Sequence, residues 1–315
     1  MHLNTFAAVV LLVLAGTAAA APFAYVPNEK SGTISVIDTD GDTVVRTIAT
    51  GGKPRGIAVS PDGKTVYVSE QTGNVLLVVD AADGTVRARL PLGESPEGIA
   101  LADDGTLVAA ASETSNGVVF VGTGGAHRGW TVTVPGKNPE HTAFSPDGRW
   151  VYVGAEDGAQ VDVIDVAARK VVASVPVGRR PRGIAFAPDG RTAWVACELD
   201  GTLVPIDTAT RSAGAPIATG PFANGVVVSP DGHTVYVSSG RGARVDVVDT
   251  DARRVRGTVA VGQRPWNMAL TPDGARLYVA NGRSGTVSVI DTRTLKRSAD
   301  VPVGELPWGV AISRQ

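Results

Sequence analysis

Seven positions that recur every 42 or 43 residues carry the side chains best suited to ligand chemistry: Arg55, Glu97, Glu140, Arg182, Asn224, Trp266 and Trp308. Simple repeat drift would keep one residue type at one slot. Two arginines, two glutamates and two tryptophans instead describe an asymmetric surface suited to a non-symmetric ligand. Two indoles beside guanidinium groups can stack an aromatic or quinoid molecule while arginine engages its carboxylates in bidentate pairs. The alternative is internal: arginines and glutamates pair across a channel, and the tryptophans plug its mouth. His141, next to Glu140, is the one histidine on this surface and the one titratable catalytic candidate. His127 and His233 are scattered and show no metal-ligand spacing.

A second slot holds Glu29, Gln71, Glu113, Glu156 and Glu198, and ends in Gly240 and Gly282. Glu29, Glu113, Glu156 and Glu198 are the acids a cation or a basic partner protein would draw on. Radial spread over a wide face separates such side chains, so the plainer expectation is solvated surface charge and no metal. Asp62, Asp147, Asp189, Asp231 and Asp273 invite a calcium reading, but each sits in a Pro-Asp-Gly turn that already explains it. No nucleophile elbow, paired-cysteine motif, phosphate-cradling loop or haem-attachment motif is present, so no active site is assembled in the sequence itself.

These residues must be positioned by a repeat. Pro-Asp-Gly turns end at Gly63, Gly148, Gly190, Gly232 and Gly274, with Asp104-Gly105 as a variant, at steps of 42 or 43. An apolar-Asp pair keeps step at Asp38, Asp80, Asp165, Asp207, Asp249 and Asp291, with Gly122 in the one altered slot. A 42-residue period holding four extended segments is the length of a propeller blade; a helical repeat would need a 3.6-residue periodicity that is missing here. In the second unit the strands are expected at Gly56–Ser60, Thr65–Ser69, Val75–Val79 and Val86–Leu90. An aromatic recurs in one strand (Tyr25, Tyr67, Tyr152, Trp194, Tyr236, Tyr278), with Ala109 in its place once, and suits the space between blades. Strands apolar on both faces, as at Val161, Val163 and Ile164, fit sheets packed between neighbours; Asp162 and Asp246 interrupt them.

Six whole units leave two fragments, strands from Tyr25 to Ile48 and a lone strand from Trp308 to Ser313. Joined, they make a seventh blade. The expectation is an all-β fold: a seven-bladed β-propeller of four-stranded blades, closed by N-terminal strands plus the C-terminal strand, without exposed edges. Thirty-eight glycines and twenty prolines in 315 residues agree with short strands and tight turns. Phe6–Leu14 and the small residues Ala18 and Ala20 read as a signal peptide over residues 1–20, leaving one domain, 21–315, in the periplasm or outside the cell. That apolar run is too short to span a membrane, and no later segment approaches the length. With 29 basic and 31 acidic side chains, no overall field recruits nucleic acid or anionic lipid. Cys197, the single cysteine, is expected to be a small buried apolar group, and the protein a monomer.

Tyr25-Val26-Pro27-Asn28, Tyr67-Val68-Ser69 and Tyr278-Val279-Ala280-Asn281, each followed by a Val/Ile-Asp-Thr-like element, resemble the YVTN-type β-propeller repeat family over residues 23–313. Val261-Gly262-Gln263-Arg264-Pro265-Trp266 and Val303-Gly304-Glu305-Leu306-Pro307-Trp308-Gly309 resemble the closing blades of a periplasmic branch associated with PQQ-dependent alcohol catabolism. That resemblance implies a non-catalytic accessory role. The partner would be a periplasmic quinoprotein dehydrogenase or a small anionic ligand, with PQQ bound as ligand or through the partner rather than as a firmly held group. Two other readings stand beside it. One is a propeller hydrolase of lactonase type, with Glu29, Glu140 and His141 holding a metal that activates water. The other is single-stranded DNA binding through Lys53, Arg55, Arg179, Arg180 and Arg182, which the acidic second slot opposes.

Overall fold

The Pro-Asp-Gly turns set the repeat locally. In each, the aspartate accepts the backbone N–H two residues on, 3.1 Å for Asp62–Lys64, 3.1 Å for Asp147–Arg149 and 3.0 Å for Asp273–Ala275. A hydroxyl just before the turn donates to the same carboxylate, from Ser60 at 2.7 Å and from Ser145 at 2.6 Å. The glycine takes φ between +69° and +77°, a region closed to most side chains. The aspartates are thus consumed by turn chemistry, as expected.

The structure is a computed structural model and describes residues 22–124 and 129–314. The expected signal peptide and His127 lie outside the described residues. Antiparallel sheets form seven blades. Blade 1 joins Phe23–Asn28, Thr33–Asp38 and Thr43–Ala49 to Ala311–Ile312 from the other end of the chain. Blades 2 to 7 begin at Pro54, Pro96, Pro139, Pro181, Ala223 and Pro265. In blade 2 the strands are Pro54–Val59, Thr65–Glu70, Val75–Asp80 and Val86–Pro91. The outer strand of blade 5 is split into Ser212–Ala213 and Ile217–Ala218. Helix is limited to one 3-10 turn, Glu156–Gly158, among the described residues.

The ring closes by the expected route. Phe23 N donates to Ser313 Oγ at 2.9 Å, Ser313 N to Phe23 O at 2.9 Å and Trp308 N to Pro27 O at 2.9 Å. The closing strand is shorter than expected, however: Ala311–Ile312 form the ladder and Pro307 only an isolated bridge to Asn28. The cause is a bulge that the other six blades share. Innermost strands lose register between Pro54 and Ile57, Pro96 and Ile99, Pro139 and His141, Pro181 and Ile184, Ala223 and Val226, and Pro265 and Met268. Residues 308–310 occupy the equivalent stretch. A bulge frees a residue from the ladder and re-aims its side chain.

Packing is strictly inter-blade. Seven apolar clusters fill seven seams, from blades 1 and 2 around Tyr25, Val66 and Leu77 to blades 7 and 1 around Tyr278, Val287 and Ala24. The recurring aromatics are buried, Tyr278 at 0 % exposure and Tyr67 at 6 %. Where Ala109 replaces the ring, Phe120 faces it across the ladder and stacks on Trp130 with centroids 5.0 Å apart, refilling the seam. Asp162 and Asp246 are fully buried yet satisfied: they accept Gly136 N at 2.8 Å and Gly220 N at 2.9 Å, tying loops to strands. Cys197 is buried, with its Sγ accepting Gly178 N at 3.2 Å; burial pushes the thiol up to about 11, so it stays protonated.

Candidate functional site

The bulges deliver their freed residues to one place. Arg55, Glu97, Glu140, Arg182, Asn224, Trp266 and Trp308 all line a single cavity of about 270 Å³ at the channel mouth. Glu29, Gln71, Glu113 and Glu156 of the second slot line it too. They reach it because each second-slot N–H bonds to the loop leading into an innermost strand: Glu29 to Leu306 O at 2.9 Å, Glu113 to Ser95 O at 3.0 Å, Glu156 to Asn138 O at 3.0 Å and Glu198 to Arg180 O at 2.9 Å.

That inward pull corrects the expectation of solvated surface acids. Glu198 and Glu156 keep 2 % and 4 % of their side chains exposed, and both are ion-paired. Arg182 bonds Glu140, Glu156 and, at 3.0 Å, Glu198; Arg180 reaches Glu156 at 3.1 Å and Glu198 at 3.2 Å. On the opposite arc Arg55 bonds Glu97 and, at 3.1 Å, Glu29. The internal-pairing alternative therefore describes Arg55 and Arg182 correctly: both guanidiniums are already matched by carboxylates. Each is weakly placed to capture an anion, because an incoming carboxylate would have to displace one already bonded.

Glu97 is the exceptional acid. It is 3 % exposed, bonds Arg55, and accepts Gln71 Nε2 at 2.9 Å. Burial raises its pKa to about 7 against the pull of Arg55, and Glu113 adds like charge. Glu113 is held by Ser95 Oγ at 3.0 Å.

One step further along the innermost strands, the slot reads Gly56, Gly98, His141, Gly183, Gly225, Asn267 and Gly309. Glycine is needed there because neighbouring strands crowd the axis: a Cβ on Gly183 would lie 2.5 Å from Asn224 O. Two blades break the pattern and their side chains meet across the channel. Asn267 Nδ2 donates to Trp308 O at 3.4 Å, which turns Oδ1 toward His141 Nε2 at 3.2 Å. His141 therefore carries its proton on Nε2 and leaves a buried lone pair on Nδ1, 4.0 Å from Glu140. Trp308 stacks on the imidazole, centroids 5.2 Å apart and planes within 10°. Burial pushes the imidazole down to about 4, so it is neutral at physiological pH.

Trp308, at 8 % exposure, belongs to this floor, while Trp266 is only partly buried beneath Arg264, 5.6 Å from its centroid. The two indoles thus differ: both line the cavity, but Trp308 is locked in its stack with His141 while Trp266 is less buried. Arg264 and Asn267 were not among the sequence-derived site residues, and Arg180 entered only as a DNA contact. Their signals are present in the repeat, as arginines at Arg180 and Arg264 in a slot that elsewhere holds Ser95, Asn138, Phe222 and Leu306, and as a break in a glycine column at Asn267.

The metal set Glu29, Glu140 and His141 does not assemble. Arg55 holds Glu29, Arg182 holds Glu140, and Asn267 holds His141. Among the described residues no three His, Cys, Asp or Glu side chains form a metal-binding group, Glu113, Glu156 and Glu198 included. No helix is long and apolar enough to cross a membrane among those residues.

Two family models match, each over less than half of the chain. "SMP-30/Gluconolactonase/LRE-like region" covers residues 15–156, and "Lactonase, 7-bladed beta-propeller" covers residues 167–300. Neither is the YVTN-type or quinoprotein-linked group that the motifs resemble. No curated protein matches the chain. Among solved structures, hydrazine synthase of Kuenenia stuttgartiensis is 23 % identical with a TM-score of 0.75, over 83 % of this chain and 90 % of that one. A functionally unknown protein of Desulfotomaculum acetoxidans DSM 771 is 19 % identical with a TM-score of 0.83, over 93 % and 99 %. The dihydro-heme d1 dehydrogenase NirN, in complex with DHE, is 16 % identical with a TM-score of 0.71, over 96 % and 77 %. These likenesses concern the fold. The chain is a seven-bladed β-propeller, similar in its two halves to gluconolactonase-like and lactonase propellers.

Proposed function

We propose that the channel mouth hydrolyses a small polyhydroxylated cyclic ester, with Glu97 as general base. The observation that carries this reading is Glu97 itself, a buried carboxyl lining the cavity between Arg55 and Gln71 and poised near neutrality. A group that titrates near the working pH is best suited to take and return a proton. The descriptions of the two matched families support the substrate class. A lining of interleaved carboxylates, guanidiniums and amides offers donors and acceptors to sugar-like hydroxyls, and Trp266 offers a face for ring C–H groups.

In this reading Glu97 takes a proton from water as the water oxygen bonds to the ester carbonyl carbon. Collapse restores the carbonyl and breaks the ring C–O bond, and Glu97 returns the proton to the departing alkoxide, so one water is added and a hydroxy acid is released. Acid release from a panel of five- and six-membered polyol lactones, followed by pH-stat, tests the reading. Glu97→Gln should lower kcat by roughly 10²–10⁴-fold with little change in KM. Equal turnover by the variant, or none by wild type on any member, overturns it.

A second reading keeps the protein as a non-catalytic accessory to a periplasmic quinoprotein dehydrogenase, in line with the exported character read from residues 1–20. Partly buried Trp266 favours it, since an indole lining the cavity can stack a flat cofactor such as PQQ. Quenching of Trp266 fluorescence by PQQ, lost in Trp266→Phe, is its expected sign; no quenching counts against it.

A further inference from the structure

Blades 6 and 7 break the charge pattern of the rim. Where the other blades place Glu29, Gln71, Glu113, Glu156 or Glu198, these two have Gly240 and Gly282, each followed by an arginine, Arg241 and Arg283. At Gly282 the missing side chain makes room for an aromatic ring. A Cβ on Gly282 would lie 3.0 Å from Cε3 and Cζ3 of Trp266, and one on Gly240 would lie 3.5 Å from Cβ of Phe222.

The backbone holds the arginines beside those rings. Gly282 N bonds Arg264 O at 2.9 Å and Arg283 N bonds Gln263 O at 3.1 Å; Gly240 N bonds Phe222 O at 2.8 Å and Arg241 N bonds Pro221 O at 3.3 Å. The Arg241 guanidinium lies 3.8 Å from the Phe222 centroid, and Arg264 lies over Trp266. Arg264 shares its left-handed backbone with Ser95, Asn138, Arg180, Phe222 and Leu306, so the repeat fixes where its side chain starts.

The missing acids leave these cations alone. Arg55 has two carboxylates, Arg180 two and Arg182 three. Arg241, Arg264 and Arg283 have no ion pair among the described residues. They are also crowded: burial lowers the Arg264 pKa, Glu198 opposes that shift, and Arg283, Arg180 and Arg241 lower it further. Glu198 is itself committed to Arg180 and Arg182. Arg264 is half-buried while Arg241 and Arg283 are exposed; like charges gathered in this way repel, and an anion placed among them relieves that repulsion.

We infer that Arg241, Arg264 and Arg283 form an oxyanion receptor on the blade 6–7 arc, taking the carboxylate or phosphate of a small ligand whose flat body lies on Trp266. It is distinct from the saturated Arg55 and Arg182, and it stands or falls independently of hydrolysis.

Titration calorimetry and tryptophan fluorescence at low ionic strength, with benzene-1,3,5-tricarboxylate and with inorganic phosphate as probes, test it. Saturable binding of at least one probe is expected, weakened by salt as screening sets in. A lead of the tricarboxylate identifies a carboxylate ligand stacked on Trp266, and a lead of phosphate a phosphoryl ligand. Arg264→Gln should weaken binding roughly tenfold or more, as for loss of a charge-assisted hydrogen bond. Arg241→Gln/Arg283→Gln, at exposed positions that do not threaten folding, should do the same. Arg179→Gln, removing an exposed arginine paired with Asp200, should leave binding unchanged, and Glu97→Gln should bind the probe while failing to hydrolyse lactones. No saturable binding of either probe, or equal binding by wild type and the double variant, overturns the receptor.

Discussion

Glu97→Gln tests the electrostatics of the channel mouth even where no substrate is known. The side chain is 3 % exposed and its pKa stands at about 7 instead of 4.5. A raised carboxyl pKa means that the native state binds the proton more tightly than the unfolded chain. Below about pH 4.5 both states are protonated and the site costs nothing. Between pH 4.5 and 7 the unfolded state loses its proton first, so native stability declines. Above pH 7 the full penalty is present: about 2.5 pKa units at about 1.36 kcal/mol each, or roughly 3 kcal/mol. Glutamine keeps the shape and can still accept from Gln71, but it does not titrate. Its stability relative to wild type should therefore rise by roughly 3 kcal/mol between pH 4.5 and 7.5, whatever its offset at low pH. Urea unfolding of both proteins at half-unit pH steps, at constant ionic strength, measures the difference. A difference constant within 0.5 kcal/mol across that window, a bound set by how far unrelated electrostatic drift is expected to add, would show that Arg55 keeps Glu97 at an ordinary carboxylate value. Glu97 would then lose its qualification as a base near neutrality.

Deleting residues 305–315 removes the closing strand and exposes the edge of blade 1, so aggregation or a large fall in Tm is expected; an unchanged Tm refutes ring closure. His141, held down to about 4 by burial, should stay neutral in an NMR pH titration until well below pH 6. Because its folded pKa lies below the unfolded value, stability is lost as pH falls from about 6.5 to 4, and His141→Gln should flatten that loss. Gly183→Ala puts a Cβ 2.5 Å from Asn224 O and 2.9 Å from Val226 N, so thermal unfolding should show destabilisation of about 1–3 kcal/mol. Gly148→Ala, strained only by its φ of +69° with open space around it, should cost less, and the reverse order would contradict the crowded channel.

The repeat was legible in the chain because each of its signals is local. A Pro-Asp-Gly turn needs only its own backbone, and a 42-residue step needs only counting, so blade number, blade closure and the convergence of Arg55 through Trp308 followed without coordinates. What each of those residues does there was not legible. Whether Glu29, Glu156 and Glu198 face solvent or a guanidinium depends on backbone bonds to loops in other parts of the chain, such as Glu29 to Leu306. The bulge that interrupts the innermost ladders of blades 2 to 7 and turns a residue into the channel leaves no mark in the hydrophobic pattern. His141 and Asn267 lie 126 residues apart and meet only because the ring has a narrow axis. Charge balance was misjudged for the same reason. Side chains 42 residues apart in sequence become neighbours under tertiary geometry, and their pairing, burial and titration are properties of that proximity rather than of the residues themselves.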